Sequence, residues 1–436
     1  MSIFKKFFQT CEKLTDTDVQ YAKTSFVVSG ASASVISNTV GGAYLVALFS
    51  FMGATETQSN FIISLTNFTM LFGLLAPLLT RRAKAYKPYT YGCRVLAYFA
   101  AGLIFLLPMI TGVNFFSVVL GAILFFIFQA FISLHSPTYN VWYMNAISAD
   151  GKNPGFYMGI NSMISFAAMI ASMLLIAELF KVFTGDRQIY FFIIMGVTVI
   201  LLTIVIALIL LPTKEAPVAQ RDEKASSFLK DFADMFRDKT FTPYLRANTI
   251  HLTSIALISA LINTFTVQRL AIRLDIITYM CILDFALRGA FAPLCGKLMA
   301  KVGSRKILIA AYVLVAISHG IFAFMTTENF ITLKIISSLF MGIGFACQNV
   351  ANTKYMFEVM PPEKCTSYIA GSSALSGITG YIASLVTTFV IAVANNASFS
   401  VFGITFSEMQ IMFIISMVVS LLSVLFLCSG KNKKNV

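Results

Sequence analysis

Two ionisable residues stand four apart inside an otherwise apolar run, Asp284 and Arg288 in TYMCILDFALRGAFAPL. Residues at i and i+4 share one face of a helix and are close enough to pair. Charge inside a lipid-spanning segment is costly, and it is kept where it moves an ion or a solute or holds a counter-charge. Asp284 could accept a proton or bind a cation, and Arg288 could hold a carboxylate or phosphate. The alternative is an intrahelical salt bridge that neutralises both and serves packing alone. Counting about 1.5 Å per residue from Asp275 puts the two roughly 13–20 Å deep, near the middle of a bilayer.

Other polar side chains sit in apolar surroundings. Ser34 and Asn38 share one helical face, Asn67 lies in the second apolar run and Gln129 in the fourth. All four suit a hydroxylated or amide-bearing solute, and each could equally be a hydrogen bond between helices. His251, roughly 10 Å from one end of the seventh run, could titrate near neutrality. A satisfied structural role is the preferred reading of His251, and of His135 and His319 as well. The small residues Gly371, Ser372, Ser376, Gly377, Gly380 and Ser384 read as a helix-packing face. HExxH, GxSxG, GxxxxGK[ST] and paired intramembrane aspartates are all missing, which argues against an enzyme. No cofactor or metal is expected.

These side chains need helices that cross a membrane. The chain has 436 residues, 58% hydrophobic and 12% charged, against about 25% charged in soluble domains. That composition excludes a soluble enzyme, a disordered chain and a disulfide scaffold. A spanning helix needs about 20 apolar residues. Such runs occur at 25–52, 57–79, 92–113, 115–140, 158–180 and 189–212, and again at 244–266, 276–295, 306–326, 330–353, 368–393 and 409–428. The expected fold is therefore an all-α membrane protein of twelve transmembrane helices.

Domain boundaries follow: residues 1–24 as an N-terminal segment, 25–212 and 244–428 as six-helix bundles, 213–243 as a linker, and 429–436 as a tail. The N-terminal segment lacks the apolar core of a cleaved signal and reads as an amphipathic helix on the membrane face. In the linker, Phe228, Phe232, Met235 and Phe236 share a face, which predicts an interfacial helix. The seven cysteines have neither a CxxC pair nor regular spacing, so no disulfide framework or zinc site is expected.

The net charge of +13 could suggest nucleic acid. Instead, 26 of the 32 Lys and Arg fall in the termini and alternate loops that would share one side. Lys181, Arg187, Arg269, Arg273 and Lys334 fall on the other side. The positive-inside rule then places both termini in the cytoplasm of a cell with the protein in its inner membrane.

Internal similarity suggests duplication. Gly73–Leu78 reads GLLAPL and Gly289–Leu294 reads GAFAPL, 216 residues apart. An offset of 212 pairs Tyr143-Met144 with Tyr355-Met356, Asn140 with Asn352, and Ile-Ala-Ser at 170–172 with the same triplet at 382–384. Two pseudo-symmetric six-helix halves in parallel orientation are expected. After the eighth run comes Gly296-Lys-Leu-Met-Ala-Lys-Val-Gly-Ser-Arg-Lys306. This resembles the loop signature G-x-L-x-D-R-x-G-R-K of the major facilitator superfamily, with Ala300 in place of Asp and Ser304 in place of Arg.

The resemblance implies the two-bundle fold of that family. It also implies that Gly296, Lys301, Gly303, Arg305 and Lys306 form a cytoplasmic gating loop, and that spans 3, 6, 9 and 12 are peripheral. The all-apolar spans 6 and 12 agree with that arrangement. The function expected is secondary active transport of a small organic solute by alternating access, with protons as the candidate coupling ion, in a monomer. One alternative is a cation-coupled sugar symporter of the glycoside–pentoside–hexuronide type, suggested by Phe-Arg-Asp-Lys-Thr-Phe at 236–241; span 2, with Asn67 and no carboxylate, speaks against it. A transporter-like sensor without flux is another. The expected partners are the solute, protons and the lipid bilayer, without nucleic acid.

Overall fold

Helix begins where the sequence supplies its first strong cap. Thr15 accepts a hydrogen bond from the Asp18 N–H, and Asp18 accepts one from the Thr15 N–H. This reciprocal box satisfies two donors that a helix start would otherwise leave open. The resulting helix, α1 (Asp16–Val40), runs without interruption into the first apolar stretch. Residues 16–24 of the N-terminal segment thus belong to a helix continuous with the first apolar run, while residues 1–9 lie outside the described residues. No proline stops α1 before Gly41, whose backbone is extended and which divides it from α2 (Gly42–Phe51).

The computed structural model describes residues 10–429 except 12–13, 55–57, 59–61, 63–64, 67, 81–82, 150, 152–153, 184–186, 217–227, 267–269, 271, 273, 395–397 and 402–403. The second expected span falls partly outside these. Its end is a 3-10 segment, Met70–Leu75, followed by α3 (Ala76–Leu79). Then come α4 (Lys87–Thr111), α5 (Phe115–Ile147), α6 (Pro154–Val182) and α7 (Gln188–Leu210). Asn114 caps α5 by accepting the Ser117 N–H at 2.9 Å. The linker carries α8 (Phe228–Arg237), in which Met235 is buried and Phe236 exposed.

The later spans are α9 (Thr242–Thr264), α10 (Leu274–Val302), α11 (Ser304–Phe322), α12 (Phe330–Val359), α13 (Cys365–Ala394) and α14 (Glu408–Ser429). Between the last two lies an antiparallel hairpin, β1 (Ser398–Val401) with β2 (Ile404–Ser407). Among the described residues nine helices are long and apolar enough to cross a membrane.

Contacts divide the chain into two compact units. The first comprises Met1–Pro154, Ile164–Phe228 and Pro362–Ala374. It centres on α4, which packs on α5 and α7. Phe49, Phe105, Phe125, Trp142, Phe191 and Phe192 fill its core. The second comprises Gly155–Met163, Leu229–Pro361 and Leu375–Val436. In it α12 packs on α10 and α11, while α9 packs on α14. Its core includes Phe265, Phe322, Phe330, Met412 and Phe413. The outward faces of α7 and α14 are apolar, with Leu201, Leu208, Leu422 and Leu425 exposed, as suits helices in lipid.

The cysteine expectation needs correction. Cys295 and Cys347 are joined in a disulfide between α10 and α12. Their separation of 52 residues gives no signal; only the packing of the two helices brings the Cα atoms to 5.2 Å.

Candidate functional site

Asp284 and Arg288 lie four apart on α10, and the salt bridge that was the alternative reading is not made between them. Asp284 Oδ2 instead accepts from Lys334 Nζ at 3.0 Å, across from α10 to α12. Both side chains are only 9% exposed. Lys334 enters four residues after α12 begins and belongs to the interior, where the sequence reading had placed it on the outer surface. The reason is reach and environment. A lysine has a long flexible stem and a compact charge, so it can leave a neighbouring helix and meet the carboxylate in a place without water. A pair so placed is held by mutual attraction against a large desolvation cost.

Arg288 is turned to other neighbours. Its guanidinium lies 4.3 Å from the ring centre of Phe345 and 5.1 Å from that of Phe285. Its Nε is buried with no hydrogen-bond partner, as is Oδ1 of Asp284. A cavity of about 80 Å³ adjoins the ion pair, lined by Thr266, Met280, Cys281, Asp284, Phe322 and Lys334 among others. The chemistry available here is proton acceptance at Asp284, release of Lys334, and anion binding at Arg288.

His251 is fully buried in the same unit and fully bonded. Its Nδ1 meets Ser420 Oγ at 3.0 Å and its Nε2 meets Gln348 Oε1 at 3.1 Å. Tyr312 stacks on the ring at 3.8 Å and its hydroxyl donates to Asn248. With both nitrogens engaged and an aromatic face covered, this arrangement favours the structural role. His319 bonds Ser416, and His135 bonds the Phe131 carbonyl.

The remaining candidates lie apart from these charges in sequence and in unit. Ser34 and Asn38 are half-buried in α1, and Nδ2 of Asn38 has no partner. Gln129 donates to Thr66 Oγ1 at 3.1 Å. Asn67 lies outside the described residues. In α13, Ser384 donates to the Gly380 carbonyl at 3.0 Å and Thr387 to the Leu257 carbonyl at 2.9 Å, joining α13 to α9.

The loop at Gly296–Lys306 has a defined geometry. Gly303 takes φ +90°, a conformation that disfavours side chains, and starts α11. Gly296 faces the start of α6 so closely that a methyl group would collide with the Gly155 carbonyl. Arg305 donates from Nε to the Leu427 carbonyl at 2.9 Å and from Nη2 to the Cys428 carbonyl at 2.9 Å. It thereby satisfies the open carbonyls at the end of α14. Ser304 donates to Glu358, which also meets Lys354 at 3.4 Å. Lys301 and Lys306 are exposed. In the corresponding first-half loop, Arg81 and Arg82 lie outside the described residues.

Five buried charged groups, Lys87, Arg94, Glu215, Lys334 and Glu408, escaped sequence reasoning. Lys334 was one; its place inside FITLKIISSLFMGIGF was the available signal. Arg94, at the start of the third apolar run, is 3% exposed within α4. Its guanidinium lies 4.3 Å from the ring of Tyr139 and 5.5 Å from that of Tyr98, and Nη2 donates to the Ser29 carbonyl at 3.3 Å. Glu215, just beyond α7, accepts the N–H groups of Tyr86 and Lys87 at 2.9 and 2.8 Å. It caps the positive end of α4, yet burial pushes its carboxyl up to about 7. By contrast, the Thr15 hydroxyl holds the Asp18 carboxyl below its ordinary value.

Comparison with known proteins fits this architecture. The family model described as Major Facilitator Superfamily matches residues 247–435. Among solved structures, the E. coli fucose:proton symporter FucP superposes with a TM-score of 0.69 at 13% identity, covering 96% of this chain and 99% of that one. The proton:xylose symporter XylE gives 0.63 at 15%, covering 94% of each chain. An outward-facing bacterial homologue of the iron transporter ferroportin, soaked with iron, gives 0.67 at 13%, covering 96% and 99%. No curated protein matches by sequence. The described helices thus follow the fold of these proteins.

Proposed function

We propose that the chain is a multi-pass membrane transporter that moves a small organic solute by proton-coupled alternating access, a reading supported by the Major Facilitator Superfamily match over residues 247–435 and by the fold it shares with FucP and XylE. The observation that carries this reading is the buried pair of Asp284 and Lys334 beside a cavity. Protonating Asp284 would discharge the pair and free Lys334, which ties the proton to a change in how α10 and α12 hold each other. Such a carboxylate is a sound coupling group because its two states differ in a strong, desolvated interaction.

The test uses the full-length protein in liposomes with an imposed pH gradient and a panel of sugars, carboxylates, amino acids and nucleosides. Wild type is expected to take up at least one solute faster with the gradient. Asp284→Asn abolishes that acceleration, and so does the neutral double change Asp284→Asn with Lys334→Gln, which leaves no stranded charge. Gradient-driven uptake that survives in the folded double variant sinks the coupling role.

The protein works as a monomer in the inner membrane with both termini cytoplasmic, as the distribution of basic residues supports. A single cysteine introduced in the hairpin segment 398–407 should react with an impermeant reagent from outside; reaction only after lysis reverses the topology. A second reading, a neutral sugar as solute, rests on the unpartnered amide of Asn38. The same panel separates the two, since sugar uptake would depend on Asn38 and not on Arg288.

A further inference from the structure

Of the three charges in the middle of the second unit, two cancel and one is left over. Asp284 gives Oδ2 to Lys334 at 3.0 Å, and Arg288 is left with two phenyl rings and no acceptor at Nε. A ring face attracts a cation, but it leaves the in-plane N–H groups of a guanidinium without oxygen partners. The guanidinium cannot escape by losing its proton, since it stays charged at all cellular pH values. What would satisfy it is a group with one negative charge and two oxygens in one plane. Facing the same side of α10 one turn away, Oδ1 of Asp284 is buried without a donor.

Resting on the reading of the chain as a solute transporter, we propose that Arg288 binds the carboxylate of a small monocarboxylate, whose hydroxyl, where present, donates to Asp284 Oδ1. One negative charge neutralises the excess left by Asp284, Lys334 and Arg288. A dianion overshoots it, and a neutral sugar leaves Arg288 as it is. The cavity beside the ion pair is small, about 80 Å³, and is lined by Asp284 and Lys334, with Arg288 one turn further along α10. That favours a solute of a few heavy atoms over a disaccharide or nucleoside.

Lactate is the probe because it carries both groups. Propionate lacks the hydroxyl and lactamide lacks the charge. With purified full-length protein, lactate and propionate should raise the unfolding temperature in a saturable way, with lactate the tighter of the two, while lactamide and succinate should not. Arg288→Gln should weaken lactate binding by about 10- to 100-fold, the loss expected for hydrogen bonds to a charged group. Arg288→Lys, which keeps charge without the planar fork, should fall between. The proposal is overturned if neither acid binds, if lactamide matches lactate, or if lactate binding survives in a folded Arg288→Gln protein. Uptake of L-fucose or D-xylose without carboxylate binding would end this proposal and leave the transporter reading standing. Lactate binding with no solute uptake of any kind would do the reverse.

Discussion

The two units settle buried charge in different ways. In the first, Arg94 lies between two tyrosines and gives a hydrogen bond to the Ser29 carbonyl, while Glu215 takes two backbone N–H groups at the start of α4. Each charge is held by dipoles and ring faces fixed in the fold. In the second unit, Asp284 and Lys334 hold each other, and Arg288 is left with rings that offer no in-plane acceptor. Charge fixed by backbone and aromatic dipoles cannot readily move. Charge held by another titratable side chain can be released by one proton, and charge with no acceptor invites a ligand. The contrast separates charges fixed by the fold from charges that a proton or a ligand could change.

The largest expected effect breaks the mobile pair. Lys334→Met strands Asp284 and should cost about 3–5 kcal/mol, read as a loss of thermal stability in detergent. Adding Asp284→Asn should restore most of it. If the single change is tolerated without loss, the pair is not holding α10 to α12.

The fixed carboxylate gives a pH signature. Because the folded value of Glu215 is raised from 4.5 to about 7, the native state binds a proton more tightly than the unfolded chain. Stability therefore falls as pH rises from about 4.5 to about 7 and levels off above that, by an amount on the order of 3 kcal/mol. Glu215→Gln should flatten this slope in a series of unfolding curves; an unchanged slope assigns it to another group.

Removing the caged arginine should cost less. Arg94→Met loses a desolvated cation–π contact, about 2 kcal/mol, and Arg94→Lys should not recover it because the flat guanidinium is what stacks. Arg288→Met marks the other extreme. It loses ring contacts of its own but no hydrogen bond, and it removes a buried charge without an acceptor, so it should cost less than Arg94→Met while removing stabilisation by lactate. Equal destabilisation by the Arg94 and Arg288 changes would erase the distinction between the units.

Much of the fold was legible before any coordinates. Runs of about 20 apolar residues have one stable form in lipid, the helix, because every backbone N–H and C=O must be satisfied within the segment. Nine of the described helices are long and apolar enough to cross a membrane, and the helix in the linker forms at Phe228–Arg237. That residues 16–24 run on into the first span was decided by the cap at Thr15, which starts one continuous helix there.

The candidate site was half legible. The sequence located Asp284 and Arg288, since an ionisable residue in an apolar run stands out by itself. It could not assign their partners. Spacing along one helix reports only which residues share a face, and α12 supplies both Lys334 for Asp284 and Phe345 for Arg288. The same limit hid the bond between Cys295 and Cys347. Sequence determined that this chain is twelve apolar helices with a few charges among them. Only tertiary packing decided which charges cancel, because pairing energy depends on distance between helices that may be adjacent in space and 50 residues apart in the chain.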